Sequence, residues 1–332
     1  MKNVCAKLMM CLLIVAMCSE QGIAKEPLQP LTIQLDYFAN VQCAGILLAK
    51  ERGWYEEKGI DLTIREWKKG ISPDKEVVAG KAQIGVAAGA LLIKARAEGT
   101  PLKAIAVQFQ KSPLCLLSKK EKRIKTPEDL KGKKIGVTTP KTILMTKIVL
   151  ANEGLHFDDI ITVRTGGDLR FLIDDEIVAF TCFMNNHPLI MKAKGYEVTN
   201  IPAFKYGYDF YSKAYITTEA MIRGQPKLIQ NFLDVTLHGW REAYKDLPAT
   251  AQLVVEKYYP KGSVSQQTES LKVFKFLARL GEGRQFLGWM EEEYWAKGID
   301  ILHKFKQIDK KIPAADVFTL KFLESVYFGK KE

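Results

Sequence analysis

Asp36, Phe38, Asn40, Gln42 and Cys43 are crowded into a segment where an apolar alternation gives way to a helical repeat. Together they offer the chemistry for gripping a flat, polar molecule. A carboxylate accepts from ring N–H or amino groups, amides donate and accept at once, and an aromatic ring stacks on a planar face. Three other clusters offer related chemistry. Thr138-Thr139-Pro140-Lys141-Thr142 sets hydroxyls beside an ammonium at a helix start, where free backbone N–H groups favour an anion. Ordinary capping by Thr139 beside a solvated Lys141 explains the same residues. Asn185 and Asn186 put two amides at the end of an apolar run, suited to bidentate recognition of a heterocycle edge or to a turn before Pro188. Between Phe204 and Tyr215 stand Tyr206, Tyr208, Asp209 and Tyr211, a clamp for a planar ligand or packing for an interface.

No catalytic signature competes with these clusters. The chain has no GxSxG, HExxH or Walker sequence, and its histidines at 156, 187, 238 and 303 lack ligand spacing. Cys43, Cys115 and Cys182 lie far apart without a CxxC pair, so neither zinc nor any cofactor is expected. Their plain reading is as small buried hydrophobes, most firmly for Cys115 inside the apolar run Leu114 to Leu117. The chain carries 49 Lys and Arg against 38 Asp and Glu, a formal net charge of +11. That charge is scattered along predicted helices and is not gathered on a motif with stacking aromatics, which argues against nucleic acid as a partner.

The elements that position these residues follow a βα rhythm. Leu31, Ile33, Leu35 and Tyr37 alternate with period two, as in a strand. Ala44, Leu47, Leu48 and Trp54 then repeat at helical spacing, and Gly59 permits a turn into a second strand, Asp61 to Ile64. The loop between strand and helix thus sits at the carboxyl end of a parallel strand, where open α/β sheets bind ligands. Gln83 to Ala87 reads as a strand running into Ala88-Gly89-Ala90, where glycine lets a ligand approach the backbone. Thr126-Pro127-Glu128-Asp129 has the cap, the first-turn proline and the N3 acid of a one-turn helix before Gly132 and a buried strand. From Glu219 onward the pattern is helical, over 221–245, 250–258, 265–280, 285–297 and 315–326.

Residues 1–24 read as a Sec-type signal peptide: Lys2 and Lys7 precede the apolar Leu8 to Met17, and Gly22-Ile23-Ala24 supplies small residues for cleavage. The apolar run is too short for a bilayer, which takes about 20 residues. Acylation at Cys18 is the alternative, against which the bulk of Met17 counts. Roughly 300 residues remain, enough for two lobes at the usual ~100–200 residues per domain.

LDYFANVQCAGILLAKERGWYEEKGIDLTI and TPEDLKGKKIGV resemble stretches of the periplasmic solute-binding proteins that serve ABC importers for thiamine precursors, sulfonates, taurine and nitrate. The chain is most similar to the thiamine-pyrimidine branch, whose members read LDW-x-PN-x-x-H-x-G at the first of these. Asp36, Asn40 and Gly45 match that pattern, while Ala39 replaces the proline and Cys43 the histidine. The closing run Ala314 to Leu323 is similar to the last helix of the family.

The resemblance implies an α/β fold of two lobes, the type II periplasmic binding protein architecture, each lobe a sheet flanked by helices, with two crossover strands as hinge. Lobe 1 would comprise residues 25–112 and, after the return, 213–332; lobe 2 would comprise 113–212. Asp36, Phe38, Asn40, Gln42 and Cys43, with Gly89 behind them, would line one wall of a cleft. Thr139, Lys141, Thr142, Asn185 and Asn186 would line the other, with Tyr208 and Asp209 near the hinge. The implied function is capture of a small molecule, a planar heterocycle such as a thiamine-related pyrimidine, by a monomer in the periplasm. The ligand would pass to the permease and ATPase subunits of an ABC importer at the inner membrane. Two alternatives stand beside it: an importer component for a sulfonate or other anion, and an enzyme like the pyrimidine synthases of the same fold.

Overall fold

The computed structural model describes residues 27–329, so the signal peptide expected over residues 1–24 lies outside them. Among the described residues the strands run β1 Gln29–Gln34, β2 Ile60–Arg65, β3 Ile84–Ala87, β4 Leu102–Phe109, β5 Leu114–Lys119, β6 Lys134–Val137, β7 Ile161–Arg164, β8 Ala179–Phe183, β9 Val198–Pro202 and β10 Ser212–Thr218. They form two five-stranded sheets, ordered β2-β1-β3-β10-β4 and β7-β6-β8-β5-β9. The chain crosses from the first sheet to the second between β4 and β5 and returns between β9 and β10. In each sheet the strand next to a crossing is the antiparallel one: β10 opposes β3 and β4, and β5 opposes β8 and β9. The remaining pairs are parallel. The architecture is therefore α/β with two sheets, each flanked by helices.

Burial explains which runs became central strands. β3 and β5 are buried along their whole length, as strands covered on both faces by helices must be. The helix Pro226–Ala243 turns Leu228, Ile229, Phe232, Leu233 and Val235 inward against the first sheet and the helix Ala44–Glu51. Glycine lets those two helices touch. A β-carbon on Gly239 would come within 2.1 Å of the Gly45 carbonyl, and one on Gly45 within 2.4 Å of the Trp240 ring. The Trp240 indole then donates to the Tyr215 hydroxyl on β10 at 2.8 Å, fixing that helix pair to the returning strand. At the other sheet, Thr126 and Asp129 form the expected capping box over the turn Pro127–Leu130.

Three expected elements end elsewhere. The first strand stops at Gln34, and Tyr37 is exposed in the loop beyond it. The helix expected over 285–297 begins only at Glu292, because Gly288 adopts φ +92° and its carbonyl accepts from Val107 on β4. The last helix likewise begins at Lys321. The preceding residues run beside β4, where the Val317 carbonyl accepts from Ala104 N and Thr319 N donates to the Ala104 carbonyl. In both places an edge strand is satisfied by the passing chain, and that long-range pairing outweighs local helical preference. No helix among the described residues is long and apolar enough to cross a membrane.

Candidate functional site

The ends of β1, β3, β6 and β8 and the start of β10 converge on one cleft of about 560 Å3 between the two sheets. That volume falls in the range of about 300–1,000 Å3 typical of small-molecule sites. One wall carries Asp36, Tyr37, Asn40, Gln42 and Ala88; the facing wall carries Pro113, Lys141, Phe183, Asn185, Asn186 and His187. Ser212 and Lys213 close one end, and Tyr259, Lys261 and the helix Val264–Ala278 contribute a third side. A larger depression of about 960 Å3 around Trp289 and Phe328 lies on the outside of the first lobe, away from every strand end.

At the heart of the first wall, Lys213 Nζ donates to Asp36 Oδ1 at 2.6 Å. Lys213 is buried to 9% exposure and holds a left-handed backbone, φ +56°. Beside the pair, Tyr37 is 44% exposed, and across the cleft Phe183 is 37% exposed. Both rings line the cleft, where each offers a planar face for stacking. Lys141 approaches the Phe183 ring, its Nζ 5.7 Å from the centroid, and Lys261 lies 4.7 Å from the centroid of Phe38. The cleft thus holds three ammonium groups, on Lys141, Lys213 and Lys261, against the Asp36 carboxylate. Desolvation holds the Lys141 pKa below that of an ordinary lysine even though the residue is exposed to the cleft; Asp36 opposes this and Lys213 adds to it. Burial also lowers the His187 pKa, and its Nδ1 is enclosed without a hydrogen-bond partner among the described residues.

Of the residues singled out from the sequence, Asp36, Asn40, Gln42, Lys141, Asn185 and Asn186 all line this cleft. Asn40 is also the cap of the turn Val41–Cys43, its side-chain oxygen accepting from Gln42 N at 2.9 Å. Asn185 joins the walls, since its carbonyl accepts from Ser270 Oγ at 2.7 Å.

The others are employed differently. Phe38 and Cys43 border a slot of only about 10 Å3 beneath Asp36, room for about one water. The Cys43 thiol donates to the Asn40 carbonyl, and burial pushes its pKa up to about 12. Gly89 stands against the second crossing: its N–H donates to the Tyr211 carbonyl, and a β-carbon would lie 2.8 Å from that oxygen. Its small size therefore serves the approach of the hinge backbone. Thr139 and Thr142 bond each other in a capping box, with Thr142 buried to 1%. Tyr208 is core, packed edge-on against Phe210. Asp209 binds Lys111 at 2.8 Å and Lys297 at 3.3 Å and accepts from the Tyr294 hydroxyl, which ties both crossings to the helix Glu292–Lys304. Asp209 is not among the residues that line the cleft.

Tyr37, Phe183, Lys213, Lys261 and Ser270 escaped the sequence reading. Tyr37 follows the strand alternation and so reads as strand; the available signal was position, since Phe183 is the last residue of β8 and Tyr37 lies in the loop after β1. Lys213, Lys261 and Ser270 carry no local signal, because they reach the site only through the return of the chain to the first sheet.

The protein-family model described as NMT1/THI5 like matches residues 40–251. The chain is 20% identical over 314 residues to the riboflavin-binding protein RibY of Chloroflexus aurantiacus, covering 90% of this chain and 88% of that protein. It is 21% identical to the formylaminopyrimidine-binding protein of Halalkalibacterium halodurans, with 94% and 96% covered. A 4-amino-5-hydroxymethyl-2-methylpyrimidine phosphate synthase of Saccharomyces cerevisiae is 27% identical over 136 residues, 40% of each chain. Among solved structures, the putative periplasmic sulfonate-binding protein SsuA of Methylobacillus flagellatus superposes with a TM-score of 0.69 at 16% identity, covering 91% of this chain and 94% of that one. At such identity the likeness speaks for the fold.

Proposed function

We propose that this chain, which belongs to the NMT1/THI5-like family, is an extracytoplasmic solute-binding protein that closes two lobes on a flat, polar heterocycle. A thiamine-related pyrimidine fits this chemistry, and the partners are the permease and ATPase of an ABC importer. The observation that carries the reading is the pair of exposed rings, Tyr37 on one wall and Phe183 on the other, on either side of a cleft of ligand size. A planar ring sandwiched there gains stacking from both faces. Its edge would meet the Asp36–Lys213 pair, the amides of Asn185 and Asn186 and the unpartnered His187 Nδ1, so polar groups buried on closure stay satisfied.

In this reading residues 25–112 with 213–332 form one lobe and 113–212 the other, and a monomer closes about the two crossings because the ligand prefers the closed state. The leader ends at Ala24, with acylation at Cys18 as the alternative. The binding-protein relatives, named for riboflavin and for a formylaminopyrimidine, support a heterocycle.

A second reading, a sulfonate or other anion, is favoured by one observation, the excess of three lysines over one acid around the cleft. Catalysis is the weaker reading. The position where the thiamine-pyrimidine pattern has histidine is Cys43, whose buried thiol is held by the Asn40 carbonyl.

A thermal-shift screen of residues 25–332 against pyrimidines, thiamine, flavins, alkanesulfonates, taurine and nitrate tests the proposal. A ligand at 100 times its Kd adds about 2.7 kcal/mol of stability. With a heterocycle, Tyr37→Ala and Phe183→Ala should each weaken binding by about 1 kcal/mol or more while leaving the unliganded midpoint nearly unchanged. A shift confined to anions and lost in Lys141→Ala would install the second reading. Turnover of a pyrimidine precursor would overturn both.

A further inference from the structure

Cys115 and Cys182 stand directly opposite each other across the antiparallel pair of β5 and β8. Their sulfurs are 3.3 Å apart, and both residues are buried. Opposed residues in an antiparallel pair have Cα atoms about 4.5–5.5 Å apart, within the roughly 4.4–6.8 Å that a disulfide spans. The backbone is therefore already placed for a bond, and only the sulfurs must close.

Nothing nearby offers these thiols another role. They share an apolar cluster with Leu117, Leu172, Ile177, Phe180 and Met191. No group of three potential ligands among the described residues could hold a metal. The third described cysteine, Cys43, is in the other lobe, bonded to Asn40. An odd set of three thus resolves into one adjacent pair and one isolated thiol.

We propose that Cys115 and Cys182 form a disulfide as the chain folds outside the cytoplasm, stapling the two strands that frame the second wall of the cleft. The proposal rests on the exported location given under the proposed function. Cys182 immediately precedes Phe183, and Cys115 lies two residues after Pro113, both of them cleft residues. The ladder continues past the pair, with Met184 N donating to the Pro113 carbonyl at 2.9 Å. The bond would hold the spacing of that wall constant while the lobes open and close.

The oxidant is a disulfide donor, a dithiol oxidase in its oxidised form or oxidised glutathione. One cysteine thiolate attacks a donor sulfur and expels the other donor sulfur as a thiolate. The second cysteine thiolate then displaces the remaining donor sulfur. The protein pair loses two protons and two electrons, and the donor disulfide is reduced to two thiols. Burial raises the Cys182 pKa in the folded lobe and shuts the donor out, so the exchange belongs to folding, before the sheet closes.

The full chain is expressed with its leader, fractionated, denatured without reductant, treated with N-ethylmaleimide and weighed intact. The exported chain should take up one maleimide, at Cys43, and three after reduction, since three cysteines remain beyond residue 24. Uptake of three without reductant in the exported fraction would overturn the proposal. Recovery of the chain only from the cytoplasm would instead count against the location. In that case residues 25–332, purified and refolded in oxidised glutathione, decide the pairing: a mass two hydrogens below the reduced chain and one maleimide support it, and three maleimides overturn it. Reduction of the native protein should lower its melting midpoint by several degrees, and the double variant Cys115→Ser/Cys182→Ser should melt at one temperature with or without reductant.

Discussion

Lys213 Nζ donates to Asp36 Oδ1 at 2.6 Å, joining the loop after β1 to the strand that returns from the second sheet. The lysine does so from a φ of +56°, a region where a β-carbon costs about 1 kcal/mol or more. We expect Lys213→Gly to be more stable than Lys213→Ala by about 1 kcal/mol, because both lose the ammonium and only glycine sheds the strain. Chemical denaturation measures the difference. Equal unfolding free energies would show that the backbone there is unstrained.

Asp209 gathers Lys111, Lys297 and Tyr294 at the two crossings. Asp209→Asn should cost about 2 kcal/mol, less than a fully buried pair because Lys111 and Lys297 retain some water. Since Asp209 lies outside the cleft, the variant should change ligand affinity only through the balance of open and closed forms. Unchanged stability would remove it as a hinge tie.

His187 sits against the Phe180 ring, 5.1 Å between centroids, and its folded pKa lies below the usual 6.5 through burial. The unfolded chain therefore binds the proton more readily than the folded one between the folded pKa and 6.5. Stability is fully present above that interval and falls as pH drops through it. Unfolding free energies across mildly acidic pH should lose this component in His187→Gln. An identical pH profile in the variant would contradict the assignment.

Gly239 admits the helix Ala44–Glu51, whose first turn follows the cleft-lining loop after β1. Gly239→Ala should cost about 1–3 kcal/mol or more, since the methyl would meet backbone that cannot yield as a side chain would. Near-normal stability would mean that the two helices slide apart freely.

Much of the site was readable because its frame is local. A strand followed by a helical repeat places the intervening loop at a sheet's carboxyl edge whatever the rest of the chain does. Asp36, Asn40, Gln42, Lys141, Asn185 and Asn186 were found by that rule and border the cleft. The same rule swept in Thr139, Thr142 and Gly89, because capping hydroxyls and a glycine that lets backbone approach look alike whether they face a ligand or their own chain. Asp209 was placed near the hinge, yet its three partners lie in segments distant in sequence, so only the fold reveals that its oxygens are taken.

The sequence by itself determined the βα rhythm and the loops that face the cleft, since periodicity, caps and turn glycines act over a few residues, and its resemblance to a known family supplied the two-lobed α/β class. Tertiary structure alone decided that Asp36 is paired, 177 positions away, with Lys213. It also brought Tyr37 and Phe183 to the lining of one cleft and set Cys115 opposite Cys182. Each of those outcomes depends on how segments far apart in sequence meet, across the two sheets or, for the cysteines, in the register of β5 and β8 within the second sheet, and no local pattern encodes that meeting.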